Sequence, residues 1–282
     1  MLFLNIVMAF LMFSVALDVR ISDFKRVLQY PKAVFAGLLS QYVLFPLLTL
    51  GMIWVFRPPV SVGLGMVLVS MCPSGNMTNF LAHFARAHVA LSITLNAVII
   101  LSASVVTPAG FLFWGKMTPS AGEIIREFDI SFVEMARLIL LLIVAPLAAG
   151  MWMAARLLAF TARVKVWLQR LSLIAFFGIL AGALIGNLAN LTEFLRFVFV
   201  IVALHNALAL AGGYGVGAAF GLSRQDRRTL AIEVGVHNTA LGLVLIFQFF
   251  NGLGGMVLIA AWWGIWDLIT GIALAYYWRK YS

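Results

Sequence analysis

The chain has 282 residues, of which 63% are hydrophobic and 10% are charged, and its mean hydropathy is +1.06. These values exclude a soluble domain of ordinary composition and predict an all-α integral membrane protein in a lipid bilayer. The formal net charge is +9, but the basic residues stand in short connections between apolar runs. They therefore predict an orientation in the membrane and argue against nucleic acid as a partner.

Nine apolar segments have the length of about 20 residues that crosses a bilayer. The first lacks the basic residues and cleavage site of a signal peptide, so we interpret it as a span. In chain order the predicted transmembrane helices are 2–17, 33–56, 62–86, 88–114, 132–157, 168–188, 197–220, 229–250 and 255–278.

Three local patterns add to this outline. Apolar residues at helical spacing in 18–32 predict a helix on the membrane surface. A second surface helix is predicted within 116–131, where Ser120 and Glu123 have the spacing of a capping box. The seventh span has a face of small residues for close helix packing, formed by Gly213, Gly217 and Gly221.

The distribution of basic residues predicts the orientation. With nine spans, fourteen of the nineteen Lys and Arg residues fall on one side of the membrane and five on the other. The positive-inside rule then places the N-terminus outside and the C-terminus in the cytoplasm. This pattern predicts a multi-pass protein of a cell inner membrane or plasma membrane.

Two spans are interrupted by polar residues. Glu233 lies inside the eighth span, and a carboxylate near the middle of a span costs about 2.5 to 3.5 kcal/mol and is retained only beside a partner, an ion or a water-filled cavity. Gly235 in the same turn weakens the helix. The third span is interrupted by the run Cys-Pro-Ser-Gly-Asn-Met-Thr-Asn at 72–79. One interrupted segment in each half predicts a binding site at the bilayer midplane of a transporter with inverted repeats.

Structural roles for these polar residues remain open alternatives. Glu233 could pair with His237 one turn away, although its place in a helix break favours an ion site. Asp267 could bind substrate or a proton, or it could be a satisfied carboxylate inside the helix bundle. We interpret His205 and Asn206 as residues that hydrogen-bond between helices.

The two interrupted segments resemble motifs of the bile acid:sodium symporter family, in its bacterial-type form. Residues 72–79, with Val-Ala-Leu-Ser at 89–92, are similar to the family's Cys-Pro-Gly-Gly-Thr-Ala-Ser-Asn and Val-Ala-Leu-Ser. Residues 233–238, Glu-Val-Gly-Val-His-Asn, are similar to its Glu-Val-Gly-Met-Gln-Asn. The resemblance implies two inverted repeats, 1–128 without an opening helix and 129–282, which form core and panel domains with two broken crossing helices.

The resemblance also implies a set of sodium ligands. The first site uses oxygen donors, which hard cations prefer: Thr78, Asn79, Ser92, Asn96 and Glu233. The second uses Gln41, Glu233, the backbone carbonyls of Val234 and Val236, and the side chain at 237. At that last position the family has an amide oxygen, whereas His237 offers an imidazole nitrogen, which is a poor sodium ligand and a good proton carrier.

The substrate region implied by the resemblance departs further from the family pattern. Ser74 replaces a glycine, and Trp266-Asp267-Leu268 stands where some members have Trp-His-Asn. The substrate of a characterised relative therefore does not transfer to this chain. The expected substrate-binding residues are Gly75, Asn76, Asn238 and Asp267.

Together these observations predict a secondary active transporter of small organic anions, sodium-coupled and working by alternating access, and not an enzyme. Na⁺ is the expected coupling ion and no other cofactor is expected. The alternatives are proton-coupled or sodium-independent transport through His237 and Asp267, and a membrane sensor that binds ligand without moving it. An arsenite-efflux-like carrier would need a functional thiol at Cys72. The oligomeric state stays open.

Overall fold

The computed structural model describes residues 2–17, 29–75, 77–128, 130–186 and 188–281, with the backbone alone for 173, 180, 184 and 188–196. Regular structure within these ranges is helical. The helices are α1 (Leu2–Ala16), α2 (Pro31–Phe56), α3 (Val60–Met71), α4 (Thr78–Phe84), α5 (Val89–Lys116), α6 (Ala121–Glu127), α7 (Phe132–Arg156), α8 (Leu158–Ile185), α9 (Leu188–Ala219), α10 (Arg224–Gly235), α11 (Thr239–Phe249) and α12 (Gly254–Lys280).

Six of the helices in the described ranges are long and apolar enough to cross a membrane: α2, α5, α7, α8, α9 and α12. Three further apolar helices, α1, α3 and α11, are shorter. The all-helical class is therefore confirmed, whereas the number of nine spans stays a prediction. Both predicted interruptions coincide with helix breaks, because α3 ends before Pro73 and α10 ends at Gly235.

Some predicted boundaries differ from the structure. Residues 18–28 of the first surface segment lie outside the described residues. The second surface helix exists as α6, but Ser120 has a φ of 61° and makes no side-chain capping bond, so the predicted capping box is wrong. Helices α8 and α9 begin about ten residues before their predicted spans, because charged residues end an apolar run without ending a helix.

Two long helices contain a π-helical turn just before a proline. Ser40–Leu44 precedes Pro46 in α2, and Leu140–Val144 precedes Pro146 in α7. Proline lacks an N–H group and crowds the carbonyl four residues earlier, and a wider turn accommodates both effects. In α2 this turn carries Gln41, which is 1% exposed. The turn therefore places an amide inside the bundle.

The helices pack around the two breaks. Helix α1 packs against α7 and α8, whereas α9 packs against α10 and α12, and α3 packs against α5 and α12. The connections α3–α4 and α10–α11 pair with each other, and we call the place where they pair the crossing. At the crossing, Ser74 and His237 form an antiparallel bridge of extended backbone. The two segments are joined by hydrogen bonds of 2.8 Å from the Gly75 N–H to the Val236 carbonyl and from the Asn238 N–H to the Pro73 carbonyl.

Close contact between α9 and α10 depends on glycine. A β-carbon at Gly213 would lie 2.6 Å from the Leu230 carbonyl oxygen, and one at Gly217 would lie 3.2 Å from the Arg227 Cα. These contacts confirm two members of the predicted packing face. Gly221 differs, because it follows the end of α9 with a φ of 64° and open space around its Cα. Its role is in the turn and not in packing.

We expect Gly213→Ala to lower the melting temperature of the purified protein in detergent, because a methyl group there overlaps the backbone of α10. Overpacking of this kind costs about 1 to 3 kcal/mol. The matched control is Gly215→Ala on the same helix, where nothing lies within 4 Å of an added β-carbon. That variant should be neutral or more stable, since alanine favours the helix by about 0.5 to 1 kcal/mol. Equal melting temperatures for the two variants would contradict close packing at Gly213.

Candidate functional site

Glu233 lies in the last turn of α10, beside the crossing, and is 1% exposed. Its Oε1 atom is 2.5 Å from the hydroxyl oxygen of Ser92 on α5. Its Oε2 atom is buried and has no hydrogen-bond partner among the described residues. A buried carboxylate oxygen without a partner is costly. This atom therefore indicates a place for a ligand that the protein does not itself supply.

Ser92 connects Glu233 to the first break. Its hydroxyl oxygen lies 2.9 Å from the Oδ1 atom of Asn79 on α4, in addition to the contact with Glu233. Both neighbours are acceptors, and a hydroxyl has a single proton that it can donate to one of them at a time. The cluster consequently contains more acceptor oxygens than protons, which is the arrangement that favours a bound cation.

Thr78 and Asn96 continue this cluster. The Thr78 hydroxyl donates to the Gly75 carbonyl at 3.1 Å. The Asn96 amide nitrogen donates to the Thr78 hydroxyl oxygen at 2.9 Å and to the Gly75 carbonyl at 3.3 Å. The structure thus brings the five residues expected at the first sodium site to one place, where α5 meets the two breaks. In this arrangement Asn96 presents its nitrogen to Thr78.

The residues expected at a second sodium site separate into two sets of contacts. The Gln41 amide nitrogen lies 3.0 Å from His237 Nε2 and 3.2 Å from the Cys72 carbonyl oxygen. Glu233 instead contacts Ser92, and the described contacts do not join it to Gln41. The backbone carbonyl of Val236 accepts from the Gly75 N–H, and the contacts described for Val234 do not include a side chain of this set.

The pair of Gln41 and His237 has its own unsatisfied atoms. Because the Gln41 nitrogen donates, His237 Nε2 accepts, and the proton of a neutral ring is then on Nδ1. That Nδ1 atom and Gln41 Oε1 are both buried without a hydrogen-bond partner among the described residues. This place therefore combines a nitrogen and an oxygen, in contrast to the carboxylate, hydroxyl and amide oxygens around Glu233.

Aromatic rings surround His237. Its ring centroid lies 5.2 Å from that of Phe45 on α2 and 5.7 Å from that of Trp263 on α12. The pairing of Glu233 with His237 that the sequence allowed is not formed, because His237 follows the end of α10 and its ring faces α2 and α12. His205 packs on the same two rings and lies 2.7 Å from the Thr49 hydroxyl.

The neighbouring Asn206 joins three helices. Its amide nitrogen donates to the Gly235 carbonyl at 2.7 Å, and its oxygen accepts from the Thr270 hydroxyl at 2.7 Å. With the contact between His205 and Thr49, these bonds confirm the prediction that the two residues hydrogen-bond between helices. They also hold the end of α10 in position, so that Glu233 and the break keep their relation to α12.

A cavity of about 550 Å³ lies between the crossing and the pair α1 and α8. Three of the expected substrate-binding residues, Gly75, Asn238 and Asp267, line it. The fourth, Asn76, lies outside the residues that the structure describes. Asp267 is 2% exposed, and its Oδ2 atom accepts a hydrogen bond of 3.1 Å from the backbone N–H of His237. The carboxylate is therefore attached to the crossing and faces the cavity.

Asn238 and Gly75 shape the inner end of this cavity. The Asn238 side chain caps α11 by accepting from the Leu241 N–H at 3.2 Å, and its nitrogen lies 3.6 Å from the Met12 sulfur on α1. A β-carbon at Gly75 would lie 3.1 Å from the His237 carbonyl oxygen, so a glycine suits this crossing of two backbones.

The opposite wall of the cavity was not predicted as a site. It includes Gln169 and Ser172 of α8 together with Ser14 of α1, and the Ser172 hydroxyl lies 3.2 Å from that of Ser14. The three-residue spacing of Gln169 and Ser172, which puts both on one helix face, is the only signal that the sequence offers. Cys72 is fully buried and is not among the residues described as lining the cavity.

Comparison with known proteins gives a family match and several relatives. The family model described as the sodium bile acid symporter family matches residues 5–194. YocS of Bacillus subtilis, described as an uncharacterized sodium-dependent transporter, is 27% identical over 280 residues, which are 99% of this chain and 83% of YocS.

Plant proteins described as probable chloroplast sodium/metabolite cotransporters are also similar. BASS5 of Arabidopsis thaliana is 31% identical over 86% of this chain, and BASS2 of Oryza sativa is 27% identical over 97% of it. The aligned regions span 60% and 63% of those two proteins, which are longer. These relatives are transporters and not enzymes. The family match covers more than half of this chain, and the chain therefore belongs to the sodium bile acid symporter family.

Proposed function

We propose that the protein is a secondary active transporter that couples the movement of small organic anions to a sodium gradient. The observation that carries this proposal is the buried Oε2 atom of Glu233, which lacks a partner beside a cluster rich in acceptor oxygens. The descriptions of YocS and the chloroplast relatives as sodium-dependent transporters and sodium/metabolite cotransporters support the same coupling ion.

The chemistry of the cluster fits Na⁺. A hard cation prefers oxygen ligands, and a carboxylate inside a membrane is retained when it faces such an ion. A sodium ion beside Glu233 would satisfy Oε2 and would relieve the competition of two acceptors for the Ser92 proton. The proposed ligands of this ion are Thr78, Asn79, Ser92, Asn96 and Glu233.

One sodium ion, and not two, suits the contacts around His237. The remaining candidates for a second ion are Gln41, His237 and the carbonyls of Val234 and Val236. Gln41 turns its nitrogen toward the imidazole, and the Val236 carbonyl already accepts a backbone hydrogen bond. The imidazole of His237 is better suited to carrying a proton than to binding sodium. Proton coupling through His237 is therefore the second candidate, and it can accompany one sodium ion.

Alternating access follows from the position of the cavity. It lies between α1 and α8 on one side and the crossing on the other. Movement of α1 and α8 relative to the crossing would open the cavity to one face of the membrane or the other. We assign α1, α7 and α8 to a panel domain and the remaining long helices to a core domain. The two breaks, and the π-helical turns before Pro46 and Pro146, stand one in each of the proposed inverted repeats 1–128 and 129–282.

The same proposal includes the membrane topology. From the distribution of Lys and Arg we propose nine spans in an inner or plasma membrane, with the N-terminus outside and the C-terminus in the cytoplasm.

An organic carboxylate would bind in the cavity at Gly75, Asn76, Asn238 and Asp267. The N-terminus of α11, where Ala240 lines the cavity, supplies the positive end of a helix dipole to that carboxylate.

The direct test of this function uses purified protein in liposomes. A thermal-shift screen of small organic acids, in NaCl and in KCl of equal ionic strength, first identifies a ligand, because a ligand of the folded state raises its stability by about 2.7 kcal/mol at a hundredfold excess over the dissociation constant. Uptake of that ligand is then driven by an inward sodium gradient. Sodium-dependent binding without uptake would identify a sensor and contradict transport.

We expect Glu233→Gln to reduce sodium-driven uptake at least about tenfold, which corresponds to about 1.4 kcal/mol of lost interaction. The amide keeps the shape of the side chain and removes the charge that balances the cation. Glu134→Gln, at an exposed carboxylate in the first turn of α7, is the control and should transport normally. Undiminished uptake by a folded Glu233→Gln protein would show that the carboxylate is not part of the ion site.

A second prediction concerns the ligands on α5. Ser92→Ala and Asn96→Ala should each raise the sodium concentration needed for thermal stabilisation, and the double variant should lose less than the sum, because both changes disrupt one site. Ser102→Ala serves as the control on the same helix, since its hydroxyl contacts Tyr42 away from the cluster. Fully additive losses would indicate that the two residues have separate structural roles.

A third prediction concerns His237. If its ring carries a proton, uptake should depend on sodium with a Hill coefficient of about 1 and should respond to the outside pH across neutrality. His237→Gln restores an amide, so its sodium dependence should become steeper and insensitive to pH. Wild-type uptake that is already cooperative in sodium and constant over this pH range would exclude the proton role.

A further inference from the structure

The cavity is lined by one carboxyl group, that of Asp267, and, among the described residues that line it, by no Lys or Arg. Asp267 is nearly fully buried, and the hydrogen bond from the His237 N–H reaches one of its two oxygens. A carboxylate at membrane depth is retained when it faces a partner. The described contacts supply Asp267 with backbone donors and with no cation, and its side chain lines the space where the substrate would bind.

An ionised Asp267 would oppose a substrate whose only charge is a carboxylate. In the proposed function, one sodium ion balances the charge of Glu233. A substrate with a carboxylate alone would bring a further negative charge into the cavity that contains Asp267, and like charges repel strongly where water is excluded. A positive group on the substrate removes this conflict, because it pairs with Asp267 directly.

We propose that the substrate is a small zwitterion, an amino acid with an apolar side chain, whose protonated amine binds Asp267. This inference rests on the sodium coupling of the proposed function, and it replaces the simple organic anion by a carboxylate that also carries an amine. An ammonium group has three hydrogen-bond donors and requires acceptors. The Asp267 carboxylate supplies an acceptor at the wall formed by α12. The substrate carboxylate then faces Ala240 at the N-terminus of α11.

The rest of the cavity agrees with this ligand. Leu11 and Val15 of α1 and Phe176 of α8 form an apolar wall opposite the crossing. The Asn238 amide nitrogen, whose described contact is the Met12 sulfur at 3.6 Å, can donate to a carboxylate near the break. The volume of about 550 Å³ lies within the range of about 300 to 1,000 Å³ that is usual for small-molecule sites.

The test compares ligands that differ only in their charged groups. The full chain in detergent is melted in NaCl with leucine, with 4-methylpentanoate, which lacks the amine, or with isopentylamine, which lacks the carboxylate. Alanine with propionate and phenylalanine with 3-phenylpropionate extend the series. We expect an amino acid of the series to raise the melting temperature, and its two partial analogues to have no effect at the same concentration.

Asp267→Asn should weaken the binding of that amino acid at least tenfold, whereas NaCl alone should still stabilise the variant. Glu134→Gln, outside the cavity, is the matched control and should bind normally. If Asp267→Asn does not fold, the ligand series on the wild-type protein still decides the question.

The possible results separate this inference from the proposed function. Binding of the amine-free acids in preference to the amino acids overturns the inference, shows that Asp267 accommodates an anion, and leaves sodium-coupled anion transport standing. Binding of isopentylamine alone overturns it in favour of a cationic substrate. Stabilisation by NaCl with no response to any amino acid also overturns it. Amino-acid binding that is equal in NaCl and KCl supports the substrate class and contradicts sodium coupling.

Discussion

The backbone pairing at the crossing is the interaction on which the rest of the site depends. Two helices that break inside a bilayer release N–H and carbonyl groups that lipid cannot satisfy. Here the two breaks satisfy each other, through Gly75 with Val236 and Asn238 with Pro73. Glu233 lies in the last turn of one helix at this pairing, and Ser74 donates to its backbone carbonyl. The proposed ion-binding cluster and the inner end of the cavity are therefore both attached to the same few backbone bonds.

Two groups of buried atoms beside the crossing have no hydrogen-bond partner among the described residues. On the side of α5 they belong to a carboxylate within an oxygen-rich cluster, and on the side of α2 they are a glutamine oxygen and an imidazole nitrogen. Oxygen ligands suit a hard cation, whereas an imidazole exchanges protons near neutral pH. The two sides of one crossing thus have different ligand chemistry, although the family pattern places sodium on both.

Residues that are close together in the chain connect the cavity to the proposed sodium site at Glu233. Asp267 accepts a hydrogen bond from the backbone of His237, which is four residues from Glu233, and Asn238 both lines the cavity and caps α11. A group bound at Asp267 and an ion bound at Glu233 would therefore act on the same short segment. Asn206 holds this segment between α9 and α12. The two proposed ligands would both act on this one arrangement of the break, which is a physical basis for the proposed coupling.

Much of this protein follows from the sequence. Composition determines the membrane class, the cost of Glu233 in an apolar span marks the site, and the motifs at 72–79 and 233–238 indicate the family and the two breaks. Only the tertiary structure decides that Gln41 faces His237, 196 residues away, and that α1 and α8 form the wall opposite Asp267. The reason is that apolar helices offer similar faces to any neighbour in a membrane, so their sequences do not specify which helices meet. A lone polar residue is recognisable in the sequence, whereas its partner depends on packing over the whole chain.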